Sequence, residues 1–338
     1  MKAVYIGIQT PGTTSQLRSD ALAKSSQALE WTVIDTDRPF LEAPRWQRSL
    51  WFRLRTGPAV SVLNRMVLDK LNNQPCDLVW IDKGVCLWPE TVRHIRKLAS
   101  TMIYYTPDTS FLANRSRFFN ATASLYDLIV TTKSLEVSHY EQLVPRDRVM
   151  LLTQSFDSQL HRPRCSFENK RDEVVLIGLC EPDRENCINH LLEAGLHVRV
   201  GGSGWERFVA RHRSNSNLYF EGQRVFGDRY ASVLSSASVG LGLVTKRFQE
   251  LHTTRTFEIP ACGTALATER NAETTSVFRD GDVIFFSDYP ELARRLCELR
   301  KDPVRLKAIS MAGERRVRDG KYSNDQMVSS VLAAVGLN

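Results

Sequence analysis

No two cysteines stand in a Cys-x-x-Cys spacing; the seven present (Cys76, Cys86, Cys165, Cys180, Cys187, Cys262 and Cys297) are odd in number and scattered. That excludes a disulfide framework and a zinc site built on paired thiolates, and it fits a reducing compartment. Long apolar runs are missing too. The longest uncharged stretch, Tyr230 to Thr245, is rich in serine and glycine and falls short of the roughly 18 apolar residues of a membrane helix. There is no block of five or six like charges, although 45 Lys+Arg against 38 Asp+Glu leave a net charge of +7. Basic residues spread in this way suit an anionic substrate or surface, and nucleic acid is not expected as the main partner. A Gly-x-Gly-x-x-Gly fingerprint is absent, as is any detectable internal repeat.

What the chain does have is length and ordinary globular composition. With 338 residues, 42% hydrophobic and 25% charged, it can build two domains, each with its own core. The opening Met1–Ile8 segment is too short for the apolar region of a signal peptide and reads as a first strand. Apolar runs at 3–8, 31–35, 77–82, 102–105, 128–132 and 149–152 read as strands, with helical patterns between most of them; the first helix is expected from the Thr13–Ser15 caps to about residue 29. Residues 39–71 are less regular, helical in stretches and rich in Trp, Arg and Leu. A polar stretch at 162–172 precedes a second series of strands at 173–178, 197–200, 239–244, 265–268 and 283–286. Strands alternating with helices predict an α/β fold of doubly wound parallel sheets, whose ligands sit at the carboxyl ends of strands.

The richest stretch is Thr253-Thr254-Arg255-Thr256-Phe257-Glu258-Ile259-Pro260-Ala261-Cys262-Gly263-Thr264-Ala265-Leu266. It reads as a loop entering a short helix that stops at glycine and turns into a buried strand. Glu258 lies in the helix with Arg255 one turn before it, and Glu250 lies eight positions upstream. Two carboxylate oxygens can each accept a hydrogen bond, which suits the vicinal hydroxyls of a ribose; a first-turn glutamate that favours the helix dipole is the plainer reading. Arg255, with Thr254 and His252 beside it, can offer a planar fork to phosphate oxygens, or can simply pair with Glu258. Lys246 in the preceding loop is a second cation for that role.

The pair of glutamates at this loop–helix junction resembles the nucleotide-sugar site of GT-B glycosyltransferases, and the wording around Arg255–Gly263 resembles the CgeB-like group. The resemblance is specific around residues 253–266, extends over roughly 173–320, and is diffuse before that. It implies two Rossmann-like lobes facing a cleft: an acceptor lobe at 1–165, a donor lobe at 166–322, and a last helix at 323–338 packing back on the first lobe. It implies a transferase that takes a sugar from a nucleoside-diphosphate sugar, with no further cofactor and no metal. Asp35-Thr36-Asp37 and Asp280-Gly281-Asp282 do not sit where the metal motif of the other glycosyltransferase fold would.

Residue by residue, the resemblance implies that Glu258 grips the ribose and Glu250 faces the donor sugar, which favours retention of configuration. Gly178 closes a strand and admits the diphosphate, while Arg184 meets it. Gly202 and Trp205, in Gly201-Gly202-Ser203-Gly204-Trp205, and Val225 further on would lie near the phosphate or base. In the first lobe Asp108, in Tyr104-Tyr105-Thr106-Pro107-Asp108-Thr109, is the candidate acceptor-side base, or a turn aspartate; Asp82-Lys83-Gly84 is a second candidate. The acceptor is left open as saccharide, lipid-linked or protein. A cytoplasmic protein is expected, with peripheral contact at the inner face of an anionic membrane. An epimerase on the same fold, and a binding protein without turnover, remain as alternatives.

Overall fold

A computed structural model describes residues 2–25 and 30–337. The end of the first expected helix, 26–29, lies outside the described residues; the described part of that helix is Thr14–Ser25. The chain divides into two units, Met1–Thr153 with Asn324–Asn338, and Gln154–Ser323.

The first unit is built on six parallel strands, β1 (Lys2–Gly7), β2 (Glu30–Asp35), β3 (Cys76–Asp82), β4 (Ala99–Thr106), β5 (Leu128–Thr131) and β6 (Val149–Leu151), in the order β2-β1-β3-β4-β5-β6. Alternation along β3 explains how both faces of the sheet are covered. Leu78 and Trp80 point to one cluster, shared with Ala21, Leu22 and the last helix through Met327, Val328, Val331 and Leu332. Val79 and Ile81 point to the other, with Val60, Leu63, Val92 and Ile95. Strands buried on both faces read as continuous apolar runs, which is why these were visible in the sequence. The irregular 39–71 stretch forms three helices, Arg38–Leu41, Arg45–Leu54 and Pro58–Leu71. The second of them ends where Arg55 adopts a left-handed conformation.

The second unit repeats the plan with β7 (Arg171–Ile177), β8 (Val198–Gly201), β9 (Leu218–Phe220), β10 (Ala237–Leu241), β11 (Ala265–Glu269) and β12 (Ile284–Phe286), ordered β12-β11-β10-β7-β8-β9. All its strand pairs are parallel. Val174 and Leu176 of β7 enter one core cluster, Val175 and Ile177 the other. β9 was not expected; it is a three-residue edge strand with Tyr219 54% exposed, too short and too open to carry a periodic signal. These two parallel sheets flanked by helices are the doubly wound α/β architecture the alternating pattern predicts. Among the described residues no helix is long and apolar enough to cross a membrane.

Candidate functional site

In the second unit β7, the first strand of the sheet, has β8 on one side and β10 on the other. The chain winds outward in both directions from there, so a crevice opens beyond the carboxyl ends of β7 and β10. Gly178 follows β7 at that point, and Leu243 follows β10.

Two arginines converge on Gly178. A Cβ placed there would lie 3.0 Å from Arg184 Nη1 and 3.5 Å from Arg255 Nη1, so only the missing side chain leaves room between the strand end and the two guanidinium groups. Both are anchored to backbone carbonyls. Arg184 donates Nη1 to Leu179 O at 2.8 Å and Nη2 to Leu243 O at 3.5 Å, and Arg255 donates Nη2 to the same Leu243 O at 3.2 Å. Arg184 Nε lies 3.4 Å from Glu181 Oε2 without completing a hydrogen bond, and Arg255 Nε is a buried atom with no hydrogen-bond partner among the described residues. Burial first, then the neighbouring Arg255, pushes Arg184 below the usual guanidinium range, while Glu181 and Glu250 oppose the shift. Unit charges about 4 Å apart at an effective dielectric of ~20 interact by ~4 kcal/mol, so a buried and a half-buried cation side by side favour an anion between them. Glu250 is half-buried and stands within electrostatic reach of Arg184.

The strand end is fixed from behind. Trp205 is fully buried and donates Nε1 to Gly178 O at 2.9 Å. Gly202 sits at φ +116°, where a Cβ would collide with that same carbonyl oxygen. The glycine-rich turn therefore brings backbone against backbone, and Trp205 acts on the site through Gly178 rather than by touching a ligand. Val225 is buried beside Gly201 and belongs to the apolar cluster of Ile177 and Phe257.

Glu258 lies on the helix Arg255–Ala261, which contains Pro260 and ends before Gly263 at φ +66°. It is 5% exposed. Tyr230 donates its hydroxyl to Glu258 Oε2 at 2.6 Å, and burial followed by the Glu258 charge holds that phenol well above its usual pKa, so it remains a donor. Glu258 Oε1 lies 3.9 Å from His161 Nε2, beyond hydrogen-bond reach. The Asp157 backbone N–H donates to His161 Nδ1 at 3.1 Å, which leaves the proton of a neutral ring on Nε2, the nitrogen that faces the carboxylate. Tyr230 and His161 were not singled out from the sequence. They stand on a distant helix and in a connecting segment, and only the fold brings them to Glu258.

Other candidates are occupied elsewhere. His252 is buried; it accepts the Gln154 backbone N–H on Nε2 at 3.0 Å and pairs through Nδ1 with Glu273. Lys246 pairs with Glu269. Thr254 caps the Arg255 helix, its carbonyl accepting from the N–H of Phe257 and Glu258. Asp35 accepts the N–H of Gln9 and Asp37, Asp280 pairs with Arg270, and Asp282 with Arg316. Among the described residues no three His, Cys, Asp or Glu side chains gather as a metal site.

In the first unit Asp108 lies just past β4, bound by Lys83 Nζ at 2.5 Å and Asn114 Nδ2 at 3.2 Å. Burial raises its pKa, but Lys83 together with Lys133 and Asn114 more than offsets that and holds the carboxyl below the usual range. Lys83 reaches it from a left-handed conformation, φ +65°, which is uncommon for a lysine.

The two doubly wound sheets define a GT-B fold. Residues 184–333 match the protein family described as Glycosyl transferase-like. Comparison with curated proteins returned no match. Among solved structures, Alr3699/HepE of Anabaena in complex with UDP-glucose is 13% identical, with a TM-score of 0.67 over 99% of this chain and 100% of that one. Sucrose-phosphate synthase of Thermosynechococcus elongatus is 13% identical, with a TM-score of 0.69 over 99% and 98%. A glycosyltransferase of Rickettsia africae is 9% identical, with a TM-score of 0.64 over 98% and 97%. At these identities the likeness is one of fold. The fold is thus that of GT-B proteins, and residues 184–333 are similar to the glycosyl transferase-like family.

Proposed function

We propose that the protein is a GT-B glycosyltransferase of the CgeB-like kind, moving a sugar from a nucleoside-diphosphate sugar to an acceptor hydroxyl with retention of configuration. The observation that carries this reading is the pair of guanidinium groups over Gly178, Arg184 buried and Arg255 half-buried, with Glu258 on the helix that Arg255 begins. The diphosphate lies against Arg184 and Arg255, and the ribose hydroxyls lie on Glu258. UDP is the first nucleotide to test, because HepE was solved with UDP-glucose.

As the bond from the anomeric carbon to the diphosphate breaks, charge grows on the leaving oxygen. Two fixed cations favour that charge more than the ground state, which is where rate comes from. The reading needs no metal for this. The acceptor oxygen bonds the anomeric carbon on the departing face and its proton passes to the leaving phosphate, giving the glycoside and the nucleoside diphosphate. Glu250 faces the donor sugar. Asp108, held ionised by Lys83, is a weakened base, which argues against the inverting route in which it would take the proton.

Calorimetry and thermal shift with UDP, GDP, ADP, CMP and dTDP test the donor site. One nucleotide at about 100 times its Kd stabilises by roughly 2.7 kcal/mol; no response to any at millimolar concentration overturns the reading. NMR of the product anomer then tests retention, and an inverted anomer discards it.

Peripheral contact with anionic lipid belongs to the same reading. Residues 38–71 hold seven Lys+Arg against two Asp+Glu, five of the chain's seven net positive charges. On the helix Arg45–Leu54, Trp46, Leu50 and Leu54 recur every four residues and are 70%, 46% and 56% exposed. An apolar stripe amid arginines suits the boundary of an anionic bilayer. The protein should co-sediment with phosphatidylglycerol vesicles at low salt, and Trp46→Glu should weaken this several-fold. Equal binding to phosphatidylcholine vesicles, or none to either, removes the membrane from the proposal.

A further inference from the structure

The first unit has its own crevice. In its sheet β1 lies between β2 and β3, so the switch of winding falls at the carboxyl ends of β1 and β3. A cavity of about 350 Å³ opens there, walled by Ile8, Phe40, Phe52, Leu63, Val85 and Leu87. This size is at the lower end for small-molecule pockets.

Most of the polar groups that reach the cavity are already satisfied. Asp82 Oδ2 accepts from Tyr5 Oη at 2.7 Å and Arg18 Nε at 2.8 Å. Arg48 donates Nε to Ala43 O at 2.6 Å, and Asp37 accepts from Thr10 Oγ1 at 3.1 Å. Lys83 and Asn114, which also line the cavity, both bind Asp108. A saccharide burying several hydroxyls there would leave many of them unpaired, at a cost of about 1–3 kcal/mol each. An alkyl or aromatic group would bury apolar surface at roughly 25 cal/mol per Å² and lose nothing. At the Lys83–Asn114 side, the polar edge leads to Asp108.

We infer that this cavity holds the apolar portion of the acceptor, so that the substrate is a hydroxyl carried on a hydrophobic group rather than a free sugar, with its hydroxyl at the cavity's Lys83–Asn114 edge. This rests on the glycosyltransferase reading for the word acceptor, but binding at the cavity can be measured without any nucleotide.

The probe is monomeric octyl β-glucoside, with free glucose as its counterpart, titrated calorimetrically into the full chain. Octyl glucoside is expected to bind at least tenfold more tightly than glucose. Ser49, on the exposed side of the cavity lining, gives a variant that fills it: Ser49→Phe should reduce octyl glucoside binding tenfold or more while UDP binding is unchanged. Phe52→Asp, at a wall residue 41% exposed, should do the same by placing a charge against the alkyl chain. Circular dichroism establishes that each variant is folded. Glucose binding as well as octyl glucoside, or octyl glucoside binding that survives both substitutions, overturns the inference. Failure of UDP to bind while octyl glucoside behaves as described would overturn the donor assignment and leave the cavity's preference standing.

Discussion

Replacing Glu258 with alanine is expected to lower affinity for the cognate nucleoside diphosphate a hundredfold or more. Hydrogen bonds to a charged group contribute about 1.5–3 kcal/mol each, and two ribose hydroxyls on one carboxylate make two of them; each 1.4 kcal/mol is a factor of ten. Alanine alone is ambiguous, because it also strips Tyr230 of its acceptor at 2.6 Å in a buried place. Glu258→Gln separates the effects: its remaining oxygen can still accept from Tyr230, while the charge and the second acceptor are gone. It should keep Tm near that of the wild type and lose affinity at least tenfold. The sharper check is a cycle with 2′-deoxy-UDP. Removing the 2′-hydroxyl should cost wild-type protein much of what Glu258→Ala costs, and should cost the variant almost nothing. Equal losses in both proteins would mean that Glu258 does not hold the ribose and only ties its helix to Tyr230.

Much of the frame was legible because parallel strands buried on both faces leave unbroken apolar runs. Val-Val-Leu-Ile in β7 and Leu-Val-Trp-Ile in β3 cannot easily be anything but strands between helices. The Arg255–Glu258 segment was legible for a related reason: its chemistry is local, packed into one helix and the turn that ends it. Contacts made by the fold were not. Tyr230 lies 28 positions from Glu258, and nothing near it in the chain marks it as the donor to that carboxylate. His161 sits in a connecting segment and reads as an ordinary loop residue. The partners of other candidates were equally hidden: Glu269 pairs with Lys246, and Glu273 with the Gln154 N–H engages the His252 imidazole. Trp205 was found beside its glycines, but its buried place behind Gly178 O depends on how closely β7 and β8 approach. The cavity of the first unit left no trace in sequence, because its walls come from strand ends and from helices of the irregular 39–71 stretch.

Gly178→Val should abolish the preference for diphosphate over nucleoside while leaving the unit folded. The backbone at Gly178 is not in the left-handed region, and a β-branched residue is at home at a strand end. The carbonyl held by Trp205 is unaffected by a side chain at this position. The obstacle is on the ligand side, where even a Cβ meets Arg184 Nη1 at 3.0 Å and Arg255 Nη1 at 3.5 Å. Two further methyl groups would occupy the room a phosphate needs and force the guanidinium groups apart from Leu243 O, which both now share. Wild-type protein should bind UDP far more tightly than uridine, because each charge-assisted contact to phosphate is about twice as strong as a neutral one. In Gly178→Val the two affinities should converge, with uridine changing by less than threefold and kcat falling by a hundredfold or more. Gly178→Ala, whose single methyl can be relieved by a small rotation of Arg184, should fall between them. A valine variant that still distinguishes UDP from uridine as the wild type does would place the diphosphate away from these arginines. Their shared carbonyl would then be a purely structural anchor for the end of β10.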